Sequence, residues 1–109
     1  MITALIEKGI TSKTKVIMIS HMVTFSGQIM PVREIVRMAR ERGIPVLVDG
    51  AQSFAHLVFS NKDMDCDFFG TSLHKWLGAP SGSGMLYIRK EWIKEIWPLM
   101  AAVEGDREN

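Results

Sequence analysis

Cysteine is almost missing from this chain. Cys66 stands alone, so no internal disulfide can form, and the expectation that follows is a reducing, cytoplasmic setting. An excess of one charge is missing too. Thirteen basic residues face twelve acidic ones, for a formal net charge of +1. That balance offers no electrostatic footprint for nucleic acid or an anionic membrane as partner. No apolar run approaches the roughly 20 residues that cross a bilayer. The opening MITALIEKGITSK is threaded with charges and has no signal-peptide core or cleavage site. Internal repeats and low-complexity segments are absent as well.

Hydrophobic residues make up 47% of the 109 positions, enough for one core, and the length fits a single domain over residues 1–109. Met1 to Lys8 reads as the end of a helix, with Ile2, Leu5 and Ile6 at helical spacing and Gly9 as its stop. KVIMIS (Lys15–Ser20) is a short β-branched run and reads as a buried strand. HMVTFSGQIM follows as a loop. Pro31 then suits the first turn of a helix whose apolar face is Val32, Ile35, Val36 and Ala39, with Gly43 as its stop. IPVLVDG (Ile44–Gly50) is a second strand, with Asp49 at its carboxyl end.

Strand, helix and strand in this order make a βαβ unit with parallel strands. Because both strands are apolar throughout, the sheet is expected to be covered on both faces. DFFGTSL (Asp67–Leu73) reads as a third strand and GMLYIRK (Gly84–Lys90) as a fourth. The link between them is too short for a helical crossover, so the fourth runs antiparallel. EWIKEIWPLM (Glu91–Met100) starts as a helix interrupted near Pro98, and the polar tail EGDREN is expected to fray. The fold class is therefore α/β, a mostly parallel sheet with helices and one antiparallel strand.

In an open parallel sheet, ligands bind beyond the carboxyl ends of the strands. Ser20 and His21 fall there after the first strand, Asp49 to Gln52 after the second, and Ser72, His74 and Lys75 after the third. Taken singly, each has a plain reading: Asp49 as a turn cap, Lys75 as a solvated charge, His21 and His74 as structural imidazoles, Cys66 as a small buried thiol. Together they supply a particular chemistry. An amine can condense with an aldehyde cofactor. Pyridoxal phosphate (PLP) further needs a carboxylate for its ring nitrogen, a neutral donor for its phenolate oxygen, and hydroxyl or imidazole groups for its phosphate.

VDGAQS, followed by DCDFFGTSLHKWLGAPSGSGMLYIRK, resembles the large domain of class V aminotransferase-like, fold type I PLP enzymes. That group includes cysteine desulfurases and isopenicillin N epimerase. HKWLGAPSGSGMLY is closer to the epimerase-like branch, and SHMVTFSGQIMPVREI resembles the segment preceding the aspartate strand in both. The resemblance covers about residues 15 to 100. It implies Lys75 as the Schiff-base lysine, Asp49 at the pyridine nitrogen, Gln52 at the phenolate oxygen, and Ser72 and His74 at the phosphate. His21 and Thr24 would lie near substrate or cofactor, Thr24 where desulfurases carry asparagine. Trp76 is read as a packing residue. Cys66 does not match the desulfurase nucleophile, which belongs to a later segment of the family.

Family members are several times longer. Their upstream part supplies a ring-stacking group, and their downstream domain supplies an arginine for the substrate carboxylate. The chain is therefore expected to be a central slice of the large domain, with exposed sheet edges that favour a homodimer or higher self-association. Two readings stay open. One is the PLP-binding core of an epimerase or aminotransferase with an amino-acid substrate, catalytically incomplete in isolation. The other is a non-catalytic remnant that folds and self-associates without cofactor. A generic doubly wound binding domain rests on fold alone, and Asp49 and Lys75 at opposite ends of the sheet would revive it.

Overall fold

β-Branched residues at alternate positions set the first two strands. In β1 (Ile17–Ser20), Ile17 and Ile19 turn inward; in β2 (Val46–Asp49), Val46 and Val48 do. The computed structural model, which describes residues 1–97 and 99, pairs these strands in parallel, Ile17 beside Val46 and Ser20 beside Asp49. β3 (Phe68–Ser72) adds in parallel to β2, with Asp49 beside Gly70. β4 (Gly84–Ile88) then pairs antiparallel with β3, from Phe68 beside Ile88 to Ser72 beside Gly84. Spatial order follows chain order, β1-β2-β3-β4.

Helix α2 (Val32–Arg40) joins β1 to β2 and lays Ile35, Val36 and Ala39 on the inward row of the sheet. Ile35, Ala39, Val46 and Val48 are completely buried, and Phe69 of β3 closes the cluster. Full burial of the isoleucine, valine and phenylalanine side chains stabilises by about 1.5–3 kcal/mol each. Pro31 sits one position before the helix as its N-cap, where a missing N–H leaves nothing unpaired. Past its end, Gly43 adopts φ +66°, and the Ile44 N–H reaches back to the Ala39 carbonyl. Helix α1 (Ile2–Gly9) packs on α2 with Ile6 at the core margin, aided by an Arg42–Glu7 ion pair.

Two expectations need correction, and one element went unread. Among the described residues the sheet is covered on one face only: on the other, Met18 is 67% and Leu86 57% exposed. β-Branched composition says what favours burial, not which neighbouring element supplies it. The stretch after β4 forms only a single 3₁₀ turn, Lys90–Trp92, then an irregular turn. Trp92 folds back on Phe68 at 5.8 Å and donates to Asp67 Oδ1 at 3.2 Å, which draws the chain off a helical path. Pro98, Met100 and the tail lie outside the described residues. A short helix, α3 (Asn61–Met64), escaped the sequence reading. Ser60 and Asp63 form a reciprocal capping box at its start, and Ser-x-x-Asp was the signal for it.

Asp65, at φ +53° after α3, fastens α2 to β4. Its carboxylate accepts from Arg40 and from Arg89, and Arg89 also donates to the carbonyls of Asp65 and Cys66. The Arg40 hydrogen bond first, and the Arg89 one second, hold the Asp65 carboxyl down at about 2 from its ordinary 3.8. A carboxylate depressed on folding contributes stability that is fully present above its unfolded value and disappears as pH falls through the folded one. The expected outcome is a modest loss of stability between pH 3.8 and about 2, modest because the pair is half exposed and screened. Urea unfolding of Asp65→Asn, compared with the native chain above and within that window, should show the acid-dependent loss reduced.

Candidate functional site at the carboxyl ends of the parallel strands

Parallel pairing of β1, β2 and β3 puts their carboxyl ends on one rim. Ser20 and Asp49 are register partners there, and Ser72 closes β3 two residues past Gly70, the partner of Asp49. Lys75 follows Ser72 by three residues, so Asp49 and Lys75 belong to the same end of the sheet.

The turn after β2 is tightly wound. Asp49 Oδ1 accepts the Ala51 N–H at 2.9 Å, an Asx-type closure that holds one carboxylate oxygen and leaves the other to offer. Ser53 and Phe54 N–H groups return to the Gly50 carbonyl, and Ala55 takes φ +59°. Gly50 has no room for a side chain, because a Cβ there would fall within the ring of Phe69. The Gly50 carbonyl also accepts the Thr71 hydroxyl at 3.2 Å, and the Gly50 N–H donates to Gly70 at 2.7 Å. These bonds lock the end of β2 to β3.

The turn after β3 closes on itself. The Leu73 N–H donates to Ser83 and the Ala79 N–H to Leu73, while Gly78, at φ +71°, donates to the Lys75 carbonyl. His74 donates from Nδ1 to the Ser83 carbonyl at 3.3 Å, and the side chains of His74 and Lys75 stand exposed. The two turns meet through Trp76, whose Nε1–H donates to Gln52 Oε1 at 3.1 Å. Its indole stacks on His56 with centroids 4.0 Å apart. Trp76 is thus a packing residue on the rim, half exposed, and not part of the core. Its partnership with Gln52 and His56 was not legible beforehand, since 24 residues separate Gln52 from Trp76.

His21 and Thr24 sit apart from this junction. The His21 ring is buried, 2.9 Å from Ser53 Oγ and edge-on to Phe59 at 4.8 Å. Burial pushes its imidazole below the ordinary value and favours the neutral ring. Its backbone N–H donates to the Asp49 carbonyl at 2.8 Å. It therefore braces the turn after β2 from within. The segment beyond it is not a plain loop: Met22 bridges Ile29, and Thr24 and Phe25 occupy the exposed tip. Cys66 is buried, and desolvation pushes its thiol up to about 11, the state of an inert cysteine. A cleft of about 580 Å³ lies between His21, Phe59, α2 and α3, but Asp49, Gln52, Ser72, His74 and Lys75 do not line it. The rim that carries the polar groups is open to solvent.

The sequence pattern of the aminotransferase class-V family matches residues 2–104. The chain belongs to that family. A probable cysteine desulfurase of Halalkalibacterium halodurans is 42% identical over 94 residues, covering 86% of this chain and 23% of the relative. Isopenicillin N epimerase of Streptomyces clavuligerus is 37% identical over 97 residues, covering 89% of this chain and 24% of the epimerase. The chain thus spans about a quarter of the length of these relatives. Among solved structures, the cystine C–S lyase C-DES in complex with cysteine persulfide superposes with a TM-score of 0.83 at 33% identity, over 89% of this chain and 26% of the lyase. Another structure of C-DES carries glycine covalently linked to its PLP cofactor. In this family, a mostly parallel sheet with one antiparallel pair is the expected frame, and the chain has it.

Gly50 is the backbone position on which the rim turns. Gly50→Ala should destabilise the fold by about 1–3 kcal/mol, the range for forcing extra volume into a packed core. Adding Phe69→Leu should recover part of the loss in the same chemical unfolding experiment, because it withdraws the ring that the new methyl meets.

Proposed function

We propose that this chain is the PLP-holding part of an aminotransferase class-V enzyme that acts on an amino acid. The observation that carries the reading is the meeting of two turns at one rim. The Asp49–Gln52 turn and the Ser72–Lys75 turn are joined by the Trp76–Gln52 hydrogen bond. The donor set fits the cofactor: a carboxylate with one free oxygen, an amide, a hydroxyl, an imidazole and an amine lie on adjacent strand ends.

Asp49 would hold a proton at the pyridine nitrogen, and Gln52 would donate to the phenolate oxygen. Ser72 Oγ and His74 would take the phosphate. With Nδ1–H given to the Ser83 carbonyl, the Nε2 edge of His74 is the one left to face a phosphate. Lys75 would anchor the aldehyde through Nζ and serve as the group that holds or moves a proton there. PLP, when bound, supplies an electron-accepting pyridinium that stabilises the carbanion left by bond cleavage at an amino acid's α-carbon. Burial and the raised thiol value keep Cys66 out of this chemistry.

The sheet face left open among the described residues, with Met18 and Leu86 exposed, favours a second reading in which the chain folds and self-associates without cofactor. One experiment separates the two. Purified 109-residue chain is mixed with PLP and its visible spectrum followed by titration. The first reading expects a saturable band that Lys75→Ala abolishes, and at least a tenfold weaker titration in Asp49→Ala. A spectrum equal to that of free PLP, or a band indifferent to Lys75→Ala, leaves the second reading.

A further inference from the structure

We propose that Trp76 is a positioning residue that fixes Gln52 as a hydrogen-bond donor toward the phenolate oxygen of bound PLP. The inference rests on the function proposed above. It starts from an asymmetry of the two side chains. An indole Nε1–H can only donate, whereas a glutamine amide has an accepting end and a donating end that exchange places by a half-turn. With Trp76 Nε1 at 3.1 Å, the accepting end, Oε1, is the one turned to the indole. What Gln52 has left to offer is Nε2 with its two N–H groups. That end suits an anionic oxygen and is poor for a donor.

The indole is itself held in place. Its ring lies on the imidazole of His56, 4.0 Å away and within 25° of parallel. The Nδ1–H of His56 in turn donates to the Gln52 backbone carbonyl at 3.1 Å. The chain of contacts closes: Gln52 backbone, His56 ring, Trp76 ring, Gln52 side chain. Because Trp76 directly follows Lys75, the same closure ties the amine-bearing turn to the amide-bearing one. Trp76 is 53% exposed, so these two contacts, not burial in the core, account for its placement.

The test is a pH titration of the visible absorption of the PLP-loaded chain. Trp76→Phe keeps a smaller aromatic face for His56 and removes the N–H that Gln52 accepts. Gln52→Glu keeps an acceptor for the indole and removes the donors. The titratable groups around the junction, His56 on the indole, Lys75 beside it, and Asp49 and His74 on the same rim, are retained in both variants. A donor on the phenolate oxygen favours its charged form, so weakening it makes the bound cofactor easier to protonate. In Trp76→Phe the spectral midpoint should move up by about one pH unit, the size of a weakened hydrogen bond to a charged oxygen. Gln52→Glu should move it the same way, at least as far, with far-ultraviolet circular dichroism unchanged in both. A Lys75-dependent band whose midpoint is unmoved by Trp76→Phe overturns this inference and leaves the proposed function standing. Absence of that band in the native chain overturns the proposed function, and this inference with it.

Discussion

The contact between Gly50 and the ring of Phe69 governs the rest of the structure. Phe69 is buried beneath the turn at the end of β2, and only a residue without Cβ can pass over it. That close approach lets the Gly50 carbonyl accept from Thr71 and its N–H donate to Gly70. The end of β2 is thereby fixed to β3 in one register. Because a one-residue slip would turn every side chain to the opposite face, this register also decides which way Asp49 and Ser72 look. Core packing and site geometry are, at this point, a single constraint.

From that anchor the rim is assembled in layers. Ser53, completely buried, links the turn to the ring of His21, which in turn is wedged against Phe59. On the outer side, Gln52 and His56 grip Trp76 and bring the Lys75 turn alongside. Polar groups that would be mobile on an open surface are thus tied to two neighbouring strands. Preorganisation of this kind lowers the cost of ordering side chains around a ligand.

Much of the frame was legible from residues alone. The β-branched runs around IMIS and VLVD wrote two strands, the spacing of Val32, Ile35, Val36 and Ala39 wrote α2, and the short link after β3 dictated the antiparallel β4. The strand-end positions of Asp49 and Ser72 followed from the same pattern. Tertiary pairings stayed hidden. His21 meets Ser53 across 32 residues and Gln52 meets Trp76 across 24, separations at which periodicity carries no information. The sheet face left open among the described residues was missed for a different reason: an apolar strand shows a preference for cover, and only the packing shows where cover lies.

The central claim is that Lys75, among all the amines of this chain, is the one that PLP engages. The direct measurement is borohydride reduction of the PLP-treated chain followed by peptide mapping. The account predicts a pyridoxyl label at one site, Lys75, at stoichiometric PLP. Label spread across surface lysines such as Lys13, Lys62 and Lys90, with Lys75 no more modified than they are, would contradict it.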